Sequence, residues 1–236
     1  MPRSRWFVSF LVSILVFGVS IGASPQLQDR SELQAKMESL RAQIQAKEKV
    51  FLAPSAEDIN AFAEFLRQAD TGMARLMPFE AYNGKLLTRA GGAYYSFTRL
   101  THDFDSVSDI ALVQGQLRVG FSGANFGFLT SLGDLTLDGV AAEQRGISLL
   151  AEFKTPSAEP DARDQQRRTG AGFEADGFTY RSALPATVRT TYAVRSINYG
   201  VSDVLVVFRV TRQDPDGSLI LLWKILKTFP IPQLAS

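Results

Sequence analysis

The chain has 236 residues, 45% of them hydrophobic and 21% charged, with 25 Lys+Arg against 24 Asp+Glu for a net charge of +1. That composition is globular, and the charge balance argues against a nucleic-acid binder that relies on bulk positive charge. With no cysteine and one histidine, His102, the chain lacks the means for disulfide scaffolds, thiolate nucleophiles, Cys-based zinc, iron–sulfur clusters or multi-His metal sites, and a Ser-His-Asp triad requires His102 as its base.

Residues 1–24 read as an export signal. Arg3 and Arg5 precede an uncharged run from Trp6 to Ala23, and Gly22-Ala23-Ser24 before Pro25 supplies the small residues that signal peptidase accepts. The run is either a cleaved signal peptide or a retained signal anchor, and both place the bulk of the chain outside the cytoplasm, in the periplasm, secreted or membrane-anchored. The absence of cysteine fits an envelope protein that folds without oxidation.

Residues 25–54 are expected to form a helical stalk. Leu33, Met37, Leu40, Ile44 and Phe51 fall at alternating spacings of four and three, with Lys47 in the one polar slot. This is a short coiled-coil-like seam, suited to a homodimer through residues 27–51 or to packing back on the domain. Pro54 ends it. Residues 55–77 are expected to hold a second, amphipathic helix packed on the domain. Ser55 and Asp58 approximate a capping box, Ile59, Phe62, Ala63, Leu66 and Ala69 share a face, and Gly72 is the stop.

From residue 78 to 236 the period of two predicts an antiparallel β domain. Strands are expected around Tyr95–Arg99, Ile110–Leu112, Leu117–Phe121 and Ile147–Phe153, and a meander spans 187–229 with its last turn at Asp214-Pro215-Asp216-Gly217. The last two strands are apolar on both faces, which requires cover on both sides and puts Trp223 in the core. Residues 155–172 lack any large apolar side chain and are expected to be a mobile loop. The fold class is therefore mainly β with N-terminal helices: an antiparallel β-sandwich or partly closed barrel behind a coiled-coil-like helix and a second packed helix.

Motifs for chemistry are sparse. His102 has Asp103 beside it, but neighbours on an extended chain point to opposite faces, and Ser122 lies in a sequence that fails the nucleophile-elbow pattern. Asp103, Asp105 and Asp109 miss the spacing of a calcium loop, Glu143, Glu152 and Glu174 carry no glycosidase signature, and phosphate-binding glycine loops are absent. No cofactor is implied. Gly120 to Gly133 is rich in Phe and Gly, which fits aromatic core filling with tight bends.

One asymmetry stands out. Strand positions carry Arg99, Arg118, Arg181, Arg189, Arg195, Arg209, Lys224 and Lys227, whereas acids fall in turns. A basic sheet face with interleaved tyrosines suits an anionic glycan or a lipid headgroup, and Arg99, Arg189, Arg195 and Tyr199 are its candidate ligand contacts. The competing explanation is that long basic side chains simply cover sheet edges. The functional expectation is an exported, non-catalytic cell-envelope or secreted binding module whose partner is an envelope protein, glycan or lipid headgroup. The alternatives are an envelope-polymer hydrolase using Asp/Glu or His102, and a lipid or small-molecule carrier with a barrel cavity.

Overall fold

The computed structural model describes residues 25–81, 92–102, 104 and 107–235, with backbone alone for 25–28. The export segment and two residues of the possible calcium loop, Asp103 and Asp105, lie outside the described residues. Contacts divide the chain into two units, 1–48 and 49–236.

The described part of the first unit is helical. α1 runs from Pro25 to Phe51, and the seam residues Leu33, Met37, Leu40 and Ile44 are all exposed. The helix is as expected; a coiled-coil partner is not shown.

In the second unit the Ser55 capping box forms as expected. Ser55 Oγ accepts from the Asp58 amide at 3.1 Å, and Asp58 Oδ2 accepts from the Ser55 amide at 3.3 Å. The helix it starts does not continue to Gly72. It breaks at Phe62 into α2 (Ala56–Ala61) and α3 (Ala63–Leu66), then gives way to an edge strand, β1 (Thr71–Leu76). The buried face turns toward Phe65, leaving Ile59 exposed. Gly72 is no helix stop. It lies opposite Trp223 of the last strand, and a Cβ there would fall 2.2 Å from the indole ring. Segment 55–77 thus contributes a strand to the main sheet.

The remaining strands are β2 (Tyr94–Tyr95), β3 (Ile110–Val113), β4 (Gln116–Arg118), β5 (Phe126–Gly133), β6 (Phe173–Ala175), β7 (Phe178–Tyr180), β8 (Ala183–Pro185), β9 (Thr191–Asn198), β10 (Ser202–Gln213) and β11 (Leu219–Thr228). The expected meander is β9–β10–β11, its last turn closed by the Gly217 amide donating to Asp214 O at 2.9 Å. It is the centre of an antiparallel five-stranded sheet ordered β1-β11-β10-β9-β5. A second antiparallel sheet is ordered β2-β3-β4-β8, and β6–β7 is a separate hairpin. Among the described residues the sheets do not close into a barrel.

Alternation along the meander builds two cores. Tyr192, Val194, Val206, Phe208, Leu221 and Trp223 point to one face, where Ile110, Leu112, Leu117 and Val119 of the small sheet meet them. Ala193, Ile197, Leu205, Val207 and Leu222 point to the other, where Phe65, Ile147, Leu150, Ala162 and Tyr180 cover them. Cover on both sides is what an antiparallel sheet apolar on both faces requires.

Two expected elements change type. Ile147–Phe153 contains the helix α4 (Ser148–Glu152), with Ile147 and Leu150 buried three residues apart. Residues 155–172 are no loop: they hold the helix α5 (Glu159–Ala171). Pro160 opens its first turn between Glu159 and Asp161, and Gly172 ends it at φ 85°. It packs through small residues, Ala162 and Thr169, both fully buried, so it needs no large apolar side chain to sit close to the domain. The expected strand at Tyr95–Arg99 stops at Tyr95, because the chain turns back through Ser96–Thr101.

Candidate functional site

The four candidate ligand contacts are not brought together on one face. Arg195 leaves the basic face altogether. It projects from β9 between Ala193 and Ile197 into the helix-covered core and is 2% exposed. Its Nε and Nη2 donate to the two carboxylate oxygens of Asp203 at 2.8 and 2.9 Å. Nη1 donates to the carbonyls of Leu150 and Phe153, each at 2.6 Å, and Nη2 also reaches Thr155 Oγ1 at 3.2 Å. The Phe229 ring lies over the guanidinium, with its centroid 3.6 Å from Cζ. All five N–H groups are thus spent inside the protein, and Arg195 is corrected from a ligand contact to an internal strut.

Tyr199 is half-buried just past β9. Its hydroxyl donates to Pro156 O at 2.7 Å, and burial pushes its pKa up to about 12. Like Arg195, it ties down the segment that enters α5. Arg189 lies before β9 at φ 64°, exposed and 3.4 Å from Asp134. Arg99 is exposed in the turn after β2.

Internal pairing accounts for part of the wider asymmetry of basic strands and acidic turns, and extends to Arg75 and Arg212. Arg209 pairs with Asp134 and also donates to Leu135 O at 2.7 Å. Arg75 pairs with Asp216 at 2.8 Å, and Arg212 with Asp214 at 2.6 Å and with Asp58. Burial raises the Asp58 pKa, but hydrogen bonds from Arg212 and Ser55 outweigh it and hold the carboxyl below its usual range. Arg212 in turn is raised further by Asp214 and Asp58.

The enzyme alternative finds its groups scattered. His102 Nε2 lies 2.7 Å from Arg75 O, and its ring meets Tyr95 with centroids 5.0 Å apart. Glu143 and Glu152 are exposed on separate segments, and Glu174 accepts from Thr179. Among the described residues no group of three or more His, Asp or Glu is arranged to hold a metal.

Asp109, in the sequence only one member of an incomplete calcium pattern, has a structural role that sequence reading missed. It sits directly before β3, fully buried, where the central sheet's face turns polar at Ser196, Asn198 and Ser202. Oδ2 accepts from the Phe97 amide at 2.8 Å and Ser96 Oγ at 3.1 Å, and Oδ1 from Asn198 Nδ2 at 3.1 Å. Desolvation pushes its pKa up to about 6, against hydrogen bonds from Ser196, Phe97 and Ser96 that lower it. It therefore holds the turn after β2 onto the end of the central sheet. Its sequence signal is an acid immediately ahead of an apolar strand, in a stretch where turn acids are common.

The outer face of the small sheet offers a different kind of site. The pairing Tyr94↔Ala111↔Arg118 sets these residues in one row across β2, β3 and β4. Tyr94 is ringed by Phe104, Phe121 and Phe79, at centroid distances of 4.4, 5.3 and 6.2 Å. Tyr94 and Ala111 are themselves buried in a small apolar cluster, Phe79 and Phe121 pack against it half-buried, and Phe104 and Arg118 are exposed at its margin. Burial raises the Tyr94 hydroxyl pKa, and the charge of Arg118 partly offsets it. Two strand spacings, about 10 Å, separate the ring platform from the cation. The exposed Phe104 ring can stack on a sugar ring or acyl segment, and the exposed Arg118 can hold an anionic group. Among the described residues no helix is long and apolar enough to cross a membrane.

No protein-family model, curated protein or solved structure matches the chain.

Proposed function

We propose that the protein is an exported, non-catalytic binding module of the cell envelope or the secreted space. Residues 1–24 act as its signal peptide or anchor, α1 as a stalk and the β domain, read as a sandwich extended by helices, as the binding unit. The ligand surface moves from the expected Arg99, Arg189, Arg195 and Tyr199 set to the outer face of the small sheet. The observation that carries this reading is the pair of exposed side chains, Phe104 at 42% exposure and Arg118, at the margin of the buried Tyr94 cluster. An aromatic platform with a nearby cation suits an anionic glycan or a lipid headgroup, and Arg99, in the exposed turn after β2, remains available to either.

The test is binding of the purified chain to envelope glycan and to vesicles containing anionic lipid, compared with Phe104→Ala and Arg118→Ala. Both substitutions lie at exposed side chains, so folding should be unchanged while binding falls at least about tenfold for a lost anchor residue. Binding to either material that is indifferent to both substitutions overturns the assignment of this face. Cell fractionation tests export separately: a full-length cytoplasmic product removes that part of the reading.

A further inference from the structure

We propose that α1 pairs with α1 of a second copy of this chain, and that the two helices run antiparallel. This rests on reading α1 as a stalk for self-association.

The width of the apolar stripe selects the occupant. Leu33, Met37, Leu40 and Ile44 are 49–59% exposed and occupy only two positions per heptad. A helix that packs on a globular core carries a stripe of three or four per two turns, and one that lies on a membrane carries a wide apolar face opposite a basic one. From Asp29 to Lys49 the other positions are Gln, Ala, Ser and a near-balanced set of charges: Asp29, Glu32, Glu38 and Glu48 against Arg30, Lys36, Arg41, Lys47 and Lys49. Two apolar positions per heptad match a second helix with the same narrow seam.

The order of residues along the seam selects a second copy and its direction. Arg30, Leu33, Met37, Leu40, Ile44 and Lys47 read alike from either end about a midpoint between Glu38 and Ser39: cation, two aliphatics, two aliphatics, cation. A two-fold interface must be self-complementary, and this seam is so when reversed on itself. Reversal stacks Met37 on Leu40′ and Leu33 on Ile44′, primes marking the second copy. It places Lys36 beside Gln43′ and Gln34 beside Arg41′ on the flanks, each a cation against an amide. Its two like-charge layers, Arg30 with Lys47′ and Lys47 with Arg30′, lie at the ends, where long stems turn their charges to water. Parallel pairing has as many like-charge layers in the seam, Arg30 on Arg30′ and Lys47 on Lys47′, and adds a repulsion on its flanks, where Lys36 meets Arg41′ twice by symmetry. Like charges across a helix pair suppress that arrangement.

Phe51 falls outside this interface. It belongs to the second unit, and its ring lies 5.7 Å from Arg75 Cζ.

The chain has no cysteine, so an introduced thiol is unique. Two full-length variants, Leu33→Cys and Ile44→Cys, are oxidised separately and as a mixture. In the antiparallel pair Leu33 faces Ile44′, while the two copies of position 33 lie about 16 Å apart along the axis, too far for a disulfide. The mixture should therefore form a disulfide heterodimer at least about tenfold faster than either variant forms a homodimer, as pairing raises the effective concentration only of facing thiols. Rapid homodimers of Leu33→Cys alone overturn the antiparallel direction and leave self-association standing. Slow cross-linking in every sample, with the chain monomeric by analytical ultracentrifugation, overturns the pairing and the stalk reading together. Neither result bears on the Tyr94 face, which the Phe104 and Arg118 variants test by themselves.

Discussion

The central sheet buries charge on both of its faces, in opposite ways. On the helix-covered face Arg195 and Asp203 form a two-pronged ion pair with every guanidinium N–H spent. On the other face Asp109 is buried with hydroxyl, amide and backbone donors. The first arrangement resists removal of either partner, because the survivor would be left charged in the core. The second meets the cost of burial by holding a proton more tightly than a free carboxylate does, and so depends on pH. Pairing makes a buried charge a mechanical joint, whereas donors without a cation make it titrate.

Breaking the pair should have the largest effect. Asp203→Ala leaves Arg195 unpaired and is expected to cost about 3–5 kcal/mol in a urea titration, whereas the double variant Arg195→Met with Asp203→Leu should recover most of that loss. Equal losses in the single and double variants would mean that shape, and not charge, is what this site supplies. Trp223→Ala, in the core that Asp109 borders, should cost a comparable 3–5 kcal/mol through lost burial and a residual cavity.

Asp109 gives the next effect, visible only against pH. Its folded pKa of about 6 lies above the ordinary value of 3.8, so between those values the folded state binds more protons than the unfolded one. This carboxylate should therefore make the protein more stable as pH falls from 6 to 4, by roughly 3 kcal/mol from the size of the shift. Asp109→Asn should flatten that part of the stability–pH curve and change stability at pH 7 by no more than about 1 kcal/mol. A curve with the same slope in the variant would assign the proton elsewhere.

The smallest effect should come from Asp58→Ala, which removes the capping-box acceptor and the partner of Arg212, at about 1 kcal/mol. Because the Asp58 pKa is lowered on folding, its contribution is present at neutral pH and is lost as pH falls below the usual carboxylate range. Asp58 and Asp109 thus push stability in opposite directions on acidification, which lets one titration of the two variants separate them.

The sequence exposed some of this and hid the rest for physical reasons. Alternation in 191–228 was legible because both faces of those strands are apolar, and Trp223 followed from it. The Ser55 box was legible because a cap is a local interaction. Helix α5 carries no large apolar side chain and approaches the domain through Ala162 and Thr169, which hides it from hydrophobic periodicity; its Glu-Pro-Asp start and Gly172 end are its sequence signals. Arg195 was misplaced because alternation says which face a residue takes, not whether that face is wet. Asp203 in the next strand, on the same face, was the clue to a buried pair. The Tyr94 row depends on register between three strands, which only the assembled sheet provides.

Gly72 and Trp223 occupy a single volume contributed by two strands. The indole fits because position 72 carries only hydrogen, so the two sites are not free to vary independently: carbon gained at one must be given up at the other. Gly72→Ala alone would press on the ring, while a smaller aromatic at 223 would make room for it. Substitution at these two positions should therefore be tolerated in pairs, and a library randomised at both should return functional chains in which bulk is exchanged between them.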